Sequence, residues 1–388
     1  MKKVIYIYGN LPAYRKDLFT SLDKKLAEED IELKVFYGEH TIKATKQVES
    51  PSFKTQKFLT KHYDLKITKP YTMEGMLNQL KKEMPDGIVM QFNQSNLTEW
   101  KVLKWCKSEG IPYAIWGCNY TRPDMKKALK YVRDSIYPHI YKNASVLMPY
   151  GSLYRDYFLK IGIPREDIVV VQNSIDVESI ISREKGRIHR DFQHSTTKIL
   201  YVGALHPPKR LDAGIQAVAQ LIDAGYDVQF DIVGGGTALD GIKAIWNTFS
   251  SKAKERIIFH GAKYGDELVP FFEEADVFFM PGTGGLGVNE AMAYQLPIIS
   301  THGDETVFDL IDGNGFFLHH FGDIQEEKEA LKKFIELKPE EKVWMAKRSE
   351  ELILQRASFE NLVNKHAEAC KLLISKKAQN KVTSQRPN

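Results

Sequence analysis

The stretch Phe278–Ser300 reads FFMPGTGGLGVNEAMAYQLPIIS and shows how this chain is built. It starts inside an apolar run of strand length, passes through a loop with four glycines, and then opens a helix near Val288. A second apolar run, Ile298–Ser300, follows that helix. Strand, glycine loop, helix and strand are typical of a parallel α/β sheet, in which the loop presents backbone N–H groups at the helix N-terminus.

The same alternation of short apolar runs and amphipathic helical stretches extends along most of the chain. In the first half, the predicted strands are Val4–Tyr8, Ile31–Tyr37, Gly87–Phe92, Tyr113–Trp116, Val146–Met148 and Ile168–Val171. In the second half, they are Ile199–Val202, Val228–Val233, Arg256–His260, Val277–Met280 and Ile298–Ser300. Because strands separated by helices need right-handed crossovers, the pattern predicts two doubly wound, mostly parallel α/β sheets.

A polar segment divides the two series of strands. Residues 181–197 have no core periodicity and predict a linker between an N-terminal domain, 1–180, and a C-terminal domain, 198–356. The end of the chain, 376–388, has four basic residues and no acidic ones, which predicts disorder. A ligand is expected in the cleft where the carboxyl ends of the two sheets face each other.

Composition narrows the classes of function. The 388 residues include 54 Lys and Arg against 50 Asp and Glu, and a net charge of +4 is too small to indicate a nucleic-acid binder. No apolar run approaches the ~18 residues of a membrane span, and the N-terminus has the pattern of a strand rather than a signal peptide. Three widely spaced cysteines exclude a disulfide framework and a Cys-rich metal site. We therefore expect a cytoplasmic protein.

Two loops could hold an anionic ligand. Lys209 and Arg210 lie between a glycine turn at Gly203 and the start of a helix, which suits a diphosphate clamp. Glu290 lies behind the glycine loop, where a carboxylate can accept hydrogen bonds from two hydroxyls of a ribose or sugar. The structural alternatives are a solvated basic pair and a glutamate that stabilises its helix through the dipole. The turn Val233–Gly236 lacks the dinucleotide fingerprint, which disfavours a nicotinamide or flavin enzyme.

The order of these motifs resembles glycosyltransferase family 4, the retaining sugar transferases with the GT-B fold. The resemblance rests on ILYVGALHPPKRLDAGIQA (199–217), FDIVGGGTAL (230–239), ADVFFMPGTGGLGVNEAMAYQLPIIS (275–300) and IDGNGFFL (311–318), and extends more loosely over about residues 1–375. It implies two Rossmann-like domains facing each other across a cleft, with a last helix, 357–375, packing back on the N-terminal domain. It also implies a nucleotide-sugar donor on the C-terminal domain, an acceptor on the N-terminal domain, and neither a catalytic metal nor a cofactor.

The resemblance assigns roles to single residues. The catalytic set would be Lys209, Arg210 and Glu290: Lys209 matches the family's phosphate-binding lysine, and Glu290 matches the glutamate that binds the donor ribose. We hypothesise that Arg210 supplies the charge of the family arginine that is absent at Ala204. The donor-binding set would be Gly203, Thr283, Gly284, Gly285, Leu286, Asn289 and Glu290. The acceptor-side set would be Gly9, Asn10, Arg15, Cys118 and Asn119. Three positions depart from the family pattern: Gly282 replaces the first glutamate of a paired-glutamate motif, Ala204 an arginine, and Cys118 a histidine.

The resulting hypothesis is a metal-independent, hexosyltransferase-type enzyme of bacterial surface polysaccharide or glycolipid biosynthesis. It would move a sugar from a nucleotide-sugar to a hydroxyl of a glycan or lipid-linked acceptor, with retention. The three departures leave open a degenerate transferase that binds nucleotide or glycan as a partner subunit. A lipid-linked acceptor would bring the protein to the inner face of the cell membrane. The candidate surface for anionic lipid is the stretch 43–69, with seven lysines and the aromatic residues Phe53 and Phe58.

Overall fold

The computed structural model describes residues 1–39, 48–65, 69–117, 127–184 and 188–384, with the backbone alone at 127–130, 132 and 379–384. Its contacts divide the chain into two compact units. The first unit is built from the chain up to Val171 together with the segment from Glu360 onward. The second unit contains Gln172–Phe359.

The first unit is built on a parallel sheet. Its strands are β1 (Lys2–Tyr8), β2 (Ile31–Gly38), β3 (Thr55–Phe58), β4 (Thr60–His62), β5 (Tyr71–Met73), β6 (Gly87–Met90), β7 (Tyr113–Trp116) and β8 (Val146–Met148). Six of them pair in the order β3-β2-β1-β6-β7-β8, and β4 and β5 form a separate antiparallel pair. The helices between them are α1 (Lys16–Ala27), α2 (Met76–Glu83), α3 (Leu97–Glu109), α4 (Lys127–Asn143) and α5 (Ser152–Lys160).

Two differences from the predicted strands concern short segments of the first unit. The sequence pattern misses β3, β4 and β5, because strands of three or four residues with polar members give no apolar run. The predicted strand Ile168–Val171 is instead a single bridge between Ile168 and Leu147. Backbone N–H groups of Val169 and Val171 still donate along the sheet edge, so this segment is buried without forming a regular strand.

The second unit repeats the plan. Its strands are β9 (Thr197–Val202), β10 (Val228–Val233), β11 (Ile257–Gly261), β12 (Val277–Met280), β13 (Ile298–Ser300) and β14 (Gly315–Phe317), all parallel in the order β11-β10-β9-β12-β13-β14. Its helices are α6 (Val177–Glu184), α7 (Leu211–Asp223), α8 (Leu239–Trp246), α9 (Ser251–Arg256), α10 (Val269–Glu274), α11 (Leu286–Ala293), α12 (Thr306–Leu310), α13 (Ile324–Glu336) and α14 (Pro339–Ala357). The predicted pair of doubly wound parallel sheets is confirmed.

Residues 172–184 and 188–197 belong structurally to the second unit, which differs from the linker predicted over 181–197. Phe192 is buried in the core of this unit. The Arg190 guanidinium donates to the backbone carbonyls of Phe272, Ala275 and Tyr294. One aromatic residue and one arginine anchor the segment, and such isolated anchors leave no periodicity in the sequence. Residues 185–187 of the predicted linker lie outside the described residues.

The last helix, α15 (Phe359–Ser384), packs along the first unit. Its buried His366 lies 2.9 Å from the hydroxyl of Tyr6, on the central strand β1. The helix continues into the segment predicted to be disordered from residue 376. The reason is local charge pairing, because Lys376 contacts Asp167 and Lys377 lies 3.3 Å from Asp86. Residues 385–388 of the predicted tail lie outside the described residues.

The lysine-rich stretch does not present Phe53 and Phe58 to solvent, whereas Tyr63 is exposed. Phe53 and Phe58 are buried, 5.5 Å from the ring of Phe19 and 5.1 Å from the ring of Phe36 respectively. The predicted membrane surface therefore lacks the two phenylalanines that were expected to contribute to it. Lys54 pairs with Glu32 at 2.6 Å and Lys57 with Glu39 at 2.7 Å.

Part of that stretch cannot be placed, since Lys43 and Lys46 lie outside the described residues. Across the described part of the chain, no helix combines the length and the apolar character needed to cross a bilayer.

Candidate functional site

The candidate donor site lies at the switch point of the second sheet. Strand β9 pairs with β10 on one side and with β12 on the other. The loops that follow β9 and β12 therefore leave the sheet in opposite directions and open a crevice between them. The first loop carries Lys209, and the second carries the glycine loop, 281–285. They are joined where the N–H of Thr283 donates to the carbonyl of Pro208 at 3.0 Å.

Hydrogen bonds within the described residues engage two carbonyls of the glycine loop and leave two of its N–H groups open. The carbonyl of Gly282 accepts from the Thr301 hydroxyl at 2.9 Å, and the carbonyl of Gly284 accepts from the N–H of Asp304 at 2.9 Å. Within the described ranges, the N–H groups of Gly284 and Gly285 have no acceptor. Consecutive N–H groups without acceptors ahead of a helix form a concavity that suits an anion.

Helix α11 begins at Leu286, two residues before the start that the sequence predicts. Glu290 therefore lies in the second turn of α11 rather than in its first. The helix dipole acts mainly within the first turn. This position therefore weakens the alternative interpretation that Glu290 serves to stabilise its helix through the dipole.

The Glu290 carboxylate has the features of a ligand-binding group. It is partly buried, and this burial raises the pKa of Glu290 to about 7, against an opposing effect of the Arg183 charge. In the described part of the chain the carboxylate makes no hydrogen bond and no ion pair. A buried carboxyl group without a partner is costly for folding, so its position here favours a role in binding.

Lys209 brings a cation to the glycine loop. Its Nζ lies 3.3 Å from the position that a Cβ on Gly284 would occupy. Burial lowers the pKa of Lys209, and the nearby Asp304 carboxylate acts against this effect. A partly desolvated ammonium next to open backbone N–H groups is well placed for a diphosphate.

Arg210 is engaged elsewhere. Its guanidinium donates to both carboxylate oxygens of Asp212, at 3.2 and 3.3 Å, and to the carbonyl of Phe321 at 3.2 Å. Its charge is thus largely compensated by Asp212. The structure brings Lys209 to the glycine loop and gives Arg210 a different set of partners.

Three other predicted donor residues support the backbone. The Asn289 side chain is buried and donates to the carbonyl of Asn173 at 2.6 Å. The Thr283 hydroxyl donates to the carbonyl of Pro208 at 3.3 Å. Gly203 donates its N–H to the carbonyl of Val233 at 3.0 Å, which fixes the turn after β9. Leu286 is the first residue of α11 and is partly exposed.

The predicted acceptor-side residues are only partly described. Gly9 and Asn10 follow the end of β1 in the first unit. Arg15 is buried, with its guanidinium 4.9 Å from the ring centre of Trp116 and 3.5 Å from the Tyr150 hydroxyl. Cys118 and Asn119 lie outside the described residues. The sequence pattern places Trp116 in a predicted apolar strand and does not predict the contact between Tyr150 and Arg15.

Among the described ranges, no group of three His, Cys, Asp or Glu side chains is arranged to hold a metal ion.

The second unit of the chain is similar in sequence to a known protein family. Residues 196–336 match the family described as Glycosyl transferases group 1. The amylovoran biosynthesis glycosyltransferase AmsK of Erwinia amylovora is 25% identical over 174 residues, which cover 42% of this chain and 41% of the relative. The match thus spans less than half of the relative's length.

Solved structures extend the similarity of fold to nearly the whole chain. HepE of Anabaena in complex with UDP-glucose superposes with a TM-score of 0.67 at 15% identity, over 96% of this chain and 100% of that one. Sucrose-phosphate synthase from Thermosynechococcus elongatus gives a TM-score of 0.67 at 14% identity, with 96% and 100% coverage. The chain therefore has the GT-B fold, and residues 196–336 of its second unit are similar to the group 1 glycosyltransferases.

Proposed function

We propose that this protein is a glycosyltransferase that moves a sugar from a nucleotide-sugar donor to a hydroxyl of a glycan or lipid-linked acceptor. The observation that carries the proposal is the cluster at the second sheet's switch point. It combines the open N–H groups of Gly284 and Gly285, the Lys209 ammonium, and the Glu290 carboxylate. The N–H groups and the Lys209 ammonium suit the diphosphate of such a donor, and the Glu290 carboxylate suits its ribose hydroxyls.

The chemistry of this site is electrostatic. As the bond between the sugar and the diphosphate breaks, negative charge grows on the departing phosphate. Fixed N–H groups and the Lys209 ammonium can stabilise that charge without reorganising, which is the largest contribution in many enzymes. No nucleophilic side chain is proposed, and the retaining stereochemistry and independence of metal remain predictions from the family 4 resemblance.

The donor and acceptor classes are supported by relatives. HepE binds UDP and UDP-glucose, which favours a uridine nucleotide as the first probe. The name of AmsK refers to amylovoran biosynthesis, which supports a role in bacterial surface polysaccharide synthesis. We propose that the acceptor binds the first unit beside Gly9, Asn10 and Arg15, and that the protein works in the cytoplasm. Contact with an anionic membrane would have to use surface other than the buried Phe53 and Phe58.

A non-catalytic alternative has one observation in its favour. Gly282 removes the first carboxylate of the family motif, and this loss favours a protein that binds nucleotide without turnover as the second candidate. Release of UDP from UDP-glucose, UDP-galactose and UDP-N-acetylglucosamine separates the two functions, because slow hydrolysis needs a live site but no acceptor. Release by the parent that is abolished in Lys209→Met supports the enzyme. Tight UDP binding with no release from any of these donors supports the binding protein.

A further inference from the structure

The glycine loop cannot carry a side chain at residue 282. A Cβ added to Gly282 would lie under 3.0 Å from backbone atoms of both Lys209 and Pro208. Backbone atoms cannot move aside as the end of a flexible side chain can. Glycine is therefore required for the loop to pack against the turn at Lys209, and no carboxylate can reach the ligand from this position.

A different carboxylate lies against the same loop. Asp304 follows β13, the next strand of the sheet after β12, and its N–H donates to the carbonyl of Gly284. Its carboxylate packs on Gly285 so closely that a Cβ added there would lie under 3.0 Å from it. Gly285 thus leaves the space that the Asp304 carboxylate occupies.

The orientation of the Asp304 carboxylate is fixed by neighbours. The side-chain amide of Asn173 donates to Oδ2 at 2.5 Å, and the N–H of Thr306 donates to Oδ1 at 3.3 Å. Asn173 is itself held, since its carbonyl accepts from the buried Asn289 side chain. An anchored carboxylate can bind a ligand with little further loss of side-chain entropy.

Charge decides which part of a donor this carboxylate can face. A diphosphate carries negative charge, and a carboxylate in contact with it would be repelled. The Lys209 ammonium and the open N–H groups suit the diphosphate, whereas the hydroxyls of the sugar are neutral donors that suit a carboxylate. Asp304 and Lys209 both lie beside the glycine loop, so the two parts of one donor could be bound side by side.

We propose that Asp304 binds hydroxyl groups of the donor's sugar and so supplies, from the loop after β13, the carboxylate that Gly282 cannot carry. This inference rests on the proposed function and names the residue that reads the transferred sugar. Its ligand class is the hexosyl part of a nucleoside diphosphate sugar.

Calorimetric titration of the full chain with UDP and with UDP-glucose, UDP-galactose and UDP-N-acetylglucosamine tests the inference. In Asp304→Asn, the affinity for the sugar nucleotide that the parent binds most tightly should fall ~10-fold, the loss of about one charge-assisted hydrogen bond. The affinity for UDP should stay the same or rise, because a negative charge near the diphosphate has been removed. Glu290→Gln is the matched control and should weaken UDP and the sugar nucleotide alike.

The outcomes separate the two claims. If Asp304→Asn weakens UDP and the sugar nucleotide equally, or changes neither, Asp304 does not bind the sugar although the proposed function stands. If the parent binds UDP but none of the three sugar nucleotides, the inference about Asp304 fails and the non-catalytic alternative is favoured. If the parent binds neither UDP nor any of them, the proposed function fails and this inference fails with it. Binding of UDP by the variant also shows that its donor domain is folded.

Discussion

Gly282 is packed against the backbone of Lys209 so tightly that an added Cβ would lie under 3.0 Å from the Lys209 carbonyl group. This contact links the loop after β12 to the turn after β9 and determines where the Lys209 ammonium is held. Glycine at position 282, where the family has a glutamate, thus removes a carboxylate and is also required by the packing of this chain.

Replacing Gly282 by alanine should disturb both the fold and the donor site. Forcing a methyl group against backbone is expected to cost about 1–3 kcal/mol of unfolding free energy, and UDP affinity should fall as the loop moves from Lys209. Denaturant unfolding and calorimetry measure the two effects. Gly241→Ala in helix α8 is the control, because a Cβ there meets nothing within 4 Å and should leave UDP binding unchanged. A Gly282→Ala protein with parental stability would contradict the packing described here.

Lys209 is expected to supply most of the cationic contribution to binding. Lys209→Met keeps the length of the side chain and removes its charge, so UDP affinity should fall at least ~10-fold, a loss of about 1.4 kcal/mol. Salt should weaken the parent's binding more than the variant's. Lys332→Met is the control, since Lys332 lies on α13, where its neighbours are Glu336 at 3.8 Å and Tyr226. Equal losses in the two variants would mean that the site acts through net charge alone.

Arg210 should behave as a structural residue. Arg210→Ala removes the hydrogen bonds to Asp212 and Phe321, so its melting temperature should fall while UDP affinity changes less than ~3-fold, under 0.7 kcal/mol. Comparing it with Lys209→Met in the same titration separates the neighbouring cations. If Arg210→Ala lost as much UDP affinity as Lys209→Met, Arg210 would turn to the ligand on binding, against its contacts in the free protein.

The pH dependence of Glu290 has opposite signs for stability and for binding. Burial raises the pKa of Glu290 in the folded protein to about 7, above the ordinary value of 4.5. The protonated form is therefore favoured by folding, and that contribution is complete below pH 4.5 and lost as pH rises through 7. The melting temperature of the parent should drop relative to Glu290→Gln between pH 5 and pH 8. The parent's UDP affinity should rise over the same interval, since the ionised carboxylate is the better acceptor, whereas parallel pH curves for the two proteins would exclude Glu290 as the titrating group.

The strand pattern and the glycine turns made the fold predictable from the sequence. Periodicity is a local signal, and it located the ends of β9 and β12, where Lys209 and the glycine loop are found. The anchoring of residues 188–197 by Arg190 was not predictable, because its partners are carbonyl groups about 80 to 100 residues away.

The residues of the site that escaped prediction share a physical reason. The role of Asp304 depends on the side chain of Asn173, 131 positions earlier in the chain. The pairing of Arg210 with Asp212 is local. The sequence pattern of a basic residue near an acidic one is nevertheless the same whether the arginine binds its neighbour or a ligand. The partners of Asp304 and Arg210 are determined by how the chain packs, and the sequence pattern does not predict that packing.

The most direct test of the donor site is calorimetric titration of UDP into the parent and Glu290→Gln at pH 8, where the carboxylate is ionised. Glu329→Gln, on an exposed side chain of α13, is the matched control. Glutamine keeps the shape of residue 290 and loses its charge and part of its acceptor capacity, so UDP affinity should fall at least ~10-fold, about 1.4 kcal/mol, with the control unchanged. Binding of UDP by Glu290→Gln as tightly as by the parent would contradict the account and place the nucleotide away from α11.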